Sequence, residues 1–198
     1  MIQELIIISV ISAVVAYFKN KDISTLENVE IKGLGFFILS FLIQSGGVYV
    51  ALNYGDTKIG SLINYYFIWL HCISYQLILI GIALNLEKRY MKIFFVGTLL
   101  NFTVIIFNGM KMPVRLPLDM TNAWENFIYL NSSKDLIHTI MNSNTRLNFL
   151  GDIFVLKDPY PFTKAVSIGD ILLLLGFFFM IQEECKYKAK NKEKQKTG

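Results

Sequence analysis

Residues 62–84 read LINYYFIWLHCISYQLILIGIAL, an unbroken run without an Asp, Glu, Lys or Arg. A helix that crosses the hydrocarbon of a bilayer needs about 20 mostly apolar residues, and this stretch supplies them. Four further apolar blocks flank it: Ile2–Phe18, then 33–52, 93–107 and 168–181. The block at 33–52 also reaches spanning length. The other three are shorter, and Glu4 trims the first, so they require local bilayer thinning or extension through polar ends such as Asn108 and Ser167. Composition agrees. Of the 198 residues, 54% are hydrophobic and only 17% charged, less charge than a soluble domain of this size normally carries. The expected fold is an all-α membrane protein with about five transmembrane helices. Residues 1–184 are read as one membrane domain with an outer segment at 108–167, followed by a Lys-rich tail at 185–198.

The opening residues MIQELIIISV have neither the basic start nor the small-residue cleavage site of a signal peptide, so the first block is read as a helix that stays in the protein. Orientation follows from basic residues, which favour the cytoplasmic side near span ends. Lys19, Lys21 and Lys32 follow the first block, Lys88, Arg89 and Lys92 lie between the third and fourth, and the tail carries Lys186, Lys188, Lys190, Lys192, Lys194 and Lys196. The loop NYGDTKIG holds only Lys58. The expectation is a multi-pass protein of the cell membrane, N-terminus outside and tail inside, with the lipid bilayer as its first partner. The tail has no aromatic or folded reader beside it, which argues against nucleic acid.

The outer segment is the most specific part of the chain. It holds all four prolines, Pro113, Pro117, Pro159 and Pro161. Thr121 heads a short stretch with Trp124, Phe127, Ile128 and Tyr129. Ser132-Ser-Lys-Asp135 has the form of a capping box, and Leu136, Ile137, Ile140 and Met141 behind it recur at helical spacing. Both pieces are expected to be short interfacial helices, with Trp124 and Tyr129 at headgroup level. His138 is read there as an interfacial surface residue.

Two Gly-Asp pairs follow, Gly151-Asp152 and Gly169-Asp170, the second opening the last apolar block. A carboxylate where a helix enters lipid is costly, so Asp170 needs a reason. Asp152 approaches from the same side, and together they are the candidate catalytic pair. Two close carboxyls share one proton, leaving one to deprotonate water and the other to polarise a carbonyl. Asn101 and Asn108, seven apart on one helix face, are candidate substrate-binding residues with Arg146. Ordinary interhelical hydrogen bonding is the plainer role for the two asparagines. His71-Cys72 is a poor nucleophile and base pair, because adjacent helical positions diverge by about 100°. Cys72 and Cys185 offer no metal pattern, and neither cofactor nor metal is expected.

The runs NFTVIIFNGMKMPV, RLNFLGD and SIGDILLLLG, taken in that order, resemble an uncharacterised family of small bacterial membrane proteins, domain of unknown function 5317. A more local likeness is to lipoprotein signal peptidases, in which one aspartate lies in a Val-Asp-Phe-like stretch and a second begins the last span. That likeness implies catalytic roles for Asp152 and Asp170 on a membrane-anchored peptide or protein. Two functions therefore stand: an aspartyl-dyad intramembrane peptidase, and a non-catalytic partner-binding or immunity-type membrane protein.

Overall fold

The computed structural model describes residues 2–116, 135–156 and 164–187. Five long helices form among them: α1 Ile2–Phe18, α2 Leu34–Tyr54, α3 Lys58–Ala83, α4 Arg89–Phe107 and α5 Ile168–Glu184. Each grows from one apolar block. α2, α3 and α4 are long and apolar enough to cross a membrane. α1 and α5 have 17 residues each.

α2 and α3 expose much of their large apolar surface and bury several small or polar residues. α2 buries Ser40, Gly47 and Ala51, and α3 buries Gly60, His71, Ser74 and Gly81 among others. Many of their large residues face outward, Phe41 67% and Trp69 65% exposed, while Phe67 and Ile82 of α3 are buried. Water would reverse that pattern; hydrocarbon, as apolar as Leu, leaves close backbone packing and hydrogen bonds to hold helices together. Gly47 lies against the Phe67 ring and Gly81 against Phe37. The Ser40 hydroxyl donates to the Ser74 carbonyl at 2.9 Å. Below the pair, fully buried Asn85 donates to the Lys32 carbonyl at 2.8 Å and accepts its N–H at 2.9 Å, fixing the entry of α2 to the end of α3.

The chain divides into two compact units, Met1–Ile31 with Leu174–Gly198, and Lys32–Leu173. In the first, α1 packs on the later turns of α5 through Ala16, Ile181 and Cys185. Ser12 donates to the Phe178 carbonyl at 2.9 Å, and Gln182 donates to the Ser12 carbonyl at 2.7 Å. A short ladder, β1 Lys21–Asp22 with β6 Lys186–Tyr187, closes this unit.

The second unit contains α2, α3, α4 and the start of α5. Its outer segment departs from an all-α expectation. β2 Met112–Val114 pairs in parallel with β3 His138–Ile140, and β4 Phe154–Leu156 pairs antiparallel with β5 Lys164–Val166. The helix expected through Leu136, Ile137, Ile140 and Met141 is therefore corrected to a strand. Its backbone finds partners across the chain: the Met112 N–H donates to the Ile137 carbonyl at 2.7 Å, and the Met141 N–H to the Val114 carbonyl at 2.9 Å. The other expected interfacial piece, with Thr121, Trp124, Phe127, Ile128 and Tyr129, lies outside the described residues. So do Ser132 to Lys134, Pro117, Pro159, Pro161 and the tail from Lys188.

The tightest approach between α2 and α3 is at their connection, where a Cβ on Gly60 would lie 1.8 Å from the Tyr54 carbonyl oxygen. That neighbour is backbone and cannot swing away. Gly60→Ala should therefore cost about 2 kcal/mol or more, read as a lower unfolding temperature in detergent. Gly46 has nothing within 4 Å of its added Cβ, so Gly46→Ala should be neutral or stabilise by up to about 1 kcal/mol. Equal unfolding temperatures for the two variants would contradict this packing.

Candidate functional site

Asp170 occupies the first turn of α5 for a local reason. The Asp170 N–H donates to Ser167 Oγ at 2.9 Å, and Asp170 Oδ2 accepts the Ser167 N–H at 3.1 Å. This is a capping box with aspartate in the third helical position. Ser167 Oγ also donates to Asn101 Oδ1 at 2.8 Å, and Asn101 Nδ2 donates to Asp170 Oδ1 at 3.0 Å. Both carboxylate oxygens thus accept from N–H donors at the positive end of a helix, where an anion gains about 0.3–1 kcal/mol. The ring closes only because two helices nearly touch. A Cβ on Gly169 would lie 2.0 Å from Asn101 Oδ1 and 2.6 Å from the Gly97 carbonyl oxygen.

Asp152 is held differently. Its backbone bridges the free edge of β2 beside Val114. The Asp152 N–H donates to the Pro113 carbonyl at 2.9 Å, and its own carbonyl accepts the Arg115 N–H at 2.9 Å. Gly151 permits this, since a Cβ there would lie 2.6 Å from the Pro113 oxygen. Leu147 and Leu150, just upstream, anchor the segment on Val104, Ile105 and Met112. Asp152 is only 7% exposed, and among the described residues its Oδ1 has no hydrogen-bond partner. Burial first, and then the charge of Asp170, push its carboxyl up to about 7, against weaker pulls from His138 and Lys164.

Two residues that sequence reasoning assigned elsewhere belong to the same surroundings. Asp135 accepts the Ile137 and His138 N–H groups at 2.9 and 2.8 Å, so it organises a turn into a strand instead of capping a helix. It also holds His138 Nδ1, at 3.1 Å from Oδ2. Burial disfavours the His138 imidazolium, but the Asp135 hydrogen bond and charge, with the charges of Asp152 and Asp170, outweigh it and raise its pKa. For Asp135, burial works against ionisation, yet its bonds to His138 win and lower its pKa. Tyr75 on α3 stacks on Phe102 at 5.3 Å between ring centroids and lies within electrostatic reach of both Asp152 and Asp170.

Of the sequence candidates, Asp152, Asp170 and Asn101 come into one neighbourhood. Asn108 does not bond a carboxylate. It caps α4 and clamps one peptide, donating to the Arg146 carbonyl at 2.8 Å and accepting the Arg146 N–H at 2.8 Å. Arg146 itself is exposed. His71 is buried with Phe67 stacked on it and Tyr75 at its edge, and among the described residues neither ring nitrogen has a hydrogen-bond partner. It makes no bond to Cys72, which instead accepts from Gln76 at 3.7 Å. Among the described residues, no group of three His, Cys, Asp or Glu is arranged to hold a metal. The Ser167-x-x-Asp170 pattern ahead of an apolar run was the one sequence signal that could have found the capping ring.

The profile of a family of unknown function (DUF5317) matches residues 28–182, most of the chain, and the chain belongs to that family. No curated protein and no solved structure matches it.

The raised Asp152 pKa fixes a sign for stability. The folded protein keeps a proton that the unfolded chain loses near its ordinary value of 3.8, so this contribution is complete below about pH 4 and declines as pH climbs to about 7. Asp152→Asn should remove that decline. In melts in detergent from pH 4 to pH 8, the variant should gain on the wild type as pH rises and level off above about 7. A constant difference across the range would contradict a buried, proton-holding Asp152.

Proposed function

We propose that this member of the family is a multi-pass membrane protein carrying a two-aspartate acid–base site, and that the site hydrolyses a peptide bond in a membrane-anchored substrate. The observation that carries the reading is the contrast between the two carboxyls. Asp170 accepts hydrogen bonds from Ser167 and Asn101 in the first turn of α5. Asp152 is buried with Oδ1 unpartnered, which favours its acid. Unlike environments acting on like residues are how acid and base roles divide.

In that division Asp170 takes a proton from water as the water oxygen attacks the scissile carbonyl carbon. Asp152 gives its proton to the carbonyl oxygen, forming a neutral gem-diol. Collapse breaks the C–N bond: the amine leaves with the proton from Asp170, and one diol proton returns to Asp152. The sum is amide plus water to acid plus amine, with both carboxyls restored. Asn101 positions Asp170, Asn108 fixes the Arg146 peptide, and the exposed Arg146 offers a cation to the substrate at the rim. α1 and α5 complete five spans in this reading, and the distribution of basic residues supports an outward-facing site.

The second reading has its own observation. The capping ring accounts for Asp170 with no chemistry, as a non-catalytic partner-binding or immunity-type protein would need. The two separate on products. Membranes from cells expressing the wild type should accumulate new peptide N-termini that are missing with Asp152→Asn and with Asp170→Asn, each variant still folded. Identical termini in all three samples would leave only the non-catalytic reading.

Orientation is tested apart from chemistry. Single cysteines introduced beside Lys58 and beside Lys190, in a chain otherwise free of cysteine, should react with an impermeant thiol reagent from opposite sides of the membrane. Labelling of both from one side would end the five-span topology.

A further inference from the structure

The parallel pairing of β2 places two titratable residues on one face of a small sheet. His138 lies beside Met112 on one edge of the strand, and Asp152 lies beside Val114 on the other. Met112 and Val114 are two apart, so their side chains share a face, and residues registered beside them share it too. On that face Met112 is buried with Val104 and Ile105 of α4, Asp152 is buried, and Val114 is half-buried. His138 and Asp152 therefore converge from two edges over the same strand, although 14 positions separate them in the sequence.

The His138 ring is oriented by its own turn. Asp135 is buried, is fixed by two backbone N–H groups, and holds Nδ1. The Lys111 ammonium donates to the Asp135 carbonyl at 2.7 Å and steadies the same turn. With Nδ1 engaged, Nε2 is the nitrogen left to exchange a proton. The His138 side chain is 39% exposed, so it reaches both solvent and the inner face. The charged and titratable groups within its reach are Asp135 on its own segment, Asp152 after the 3-10 turn, Asp170 on α5 and His71 on α3. Lys164 on β5 acts on Asp152 from the opposite edge.

We propose that Asp135 and His138 form the proton-exchange arm of the Asp152 site, His138 carrying protons between the buried Asp152 carboxyl and solvent. The step balances within the arm. The proton leaves an Asp152 oxygen, crosses one water, and binds His138 Nε2. The resulting imidazolium is neutralised by the Asp135 carboxylate, and the Asp152 carboxylate left behind recovers its proton by the reverse path. An Asp–His pair suits this because the anchoring carboxylate supports the imidazolium while leaving Nε2 exposed to traffic. This inference rests on the reading of Asp152 as a proton-exchanging acid, and it adds the route by which that acid is reset. His138 is a positioning and relay residue, since it is not required to touch substrate.

The test uses the full chain in lipid nanodiscs and needs no substrate. The carboxyl C=O infrared band is followed in a slow titration and after a rapid pH jump, and is assigned to Asp152 by its loss in Asp152→Asn. In the wild type one such band should titrate between about pH 5 and 9. His138→Gln should move its midpoint up by roughly one unit and slow its deprotonation after the jump by about tenfold or more. His138→Lys should restore the midpoint, because the charge returns, but not the rate. Free imidazole added to His138→Gln should recover part of the rate. A midpoint shift with an unchanged rate would overturn the relay, leaving a merely electrostatic neighbour. No change in either quantity would overturn it as well while leaving the acid reading standing. Absence of any Asp152 band in that range would instead remove the acid reading itself.

Discussion

The second unit depends on the contact between Gly97 and Gly169. Only two residues without side chains let α4 and the start of α5 approach so closely that the Gly169 backbone lies on Asn101. That approach turns a local capping box into a tertiary one. Ser167 and Asp170 satisfy one another's backbone donors, and Asn101 then bonds both side chains. The first turn of a helix has orphan N–H groups that need hydrogen-bond partners. Here the capping side chains answer that need, and the same bonds fix Asp170.

Both Gly-Asp pairs work in this way. In each, the glycine presses backbone against a neighbour that a Cβ would strike, the Pro113 oxygen for Gly151 and the Asn101 side chain for Gly169. The aspartate that follows is thereby delivered to a defined place. What differs is the neighbour. Asn101 and Ser167 give Asp170 N–H donors, whereas the edge of β2 takes up the Asp152 backbone and leaves its Oδ1 without a partner among the described residues. A buried carboxyl in that state is costly when ionised and retains its proton.

The helices were legible because lipid-facing segments are written as continuous blocks. α1 begins and ends at the limits read from sequence, and α2, α3 and α4 differ from theirs by a few terminal residues. Three-residue strands carry no such signal. Leu136, Ile137, Ile140 and Met141 satisfy helical spacing as well as they satisfy anything, and the outcome is set by the Met112–Val114 backbone at least 22 positions away. His138 was read as a surface residue, and its side chain is 39% exposed; what its neighbours in sequence do not express is its register beside Met112. Asn101 and Asp170 were each recognisable, yet their bond depends on a glycine contact no single-sequence periodicity expresses. Asn108 looked equivalent to Asn101 from helical spacing, but the chain reverses beside it through Gly109 and Met110, both at positive φ, and its amide is taken up by the Arg146 peptide.

Two asparagine clamps show how connecting segments are kept in place without a large core, one at the entry to α2 and one in the outer segment. Asn85 and Asn108 each bind both polar groups of one peptide, Lys32 and Arg146, as a strand neighbour would. One secures the entry to α2 and the other secures the segment that leads to Asp152. Leu147, at positive φ, and Leu150 then seat that segment on α4. Non-glycine residues in that region of backbone space hold a conformation costing on the order of 1–3 kcal/mol, so the surrounding contacts must over-determine it. The clamp, the β2 bridge and the leucine anchors do so together. They fix the backbone around Asp152, leaving the ionisation of its buried carboxyl to burial and to the charges of Asp170, His138 and Lys164.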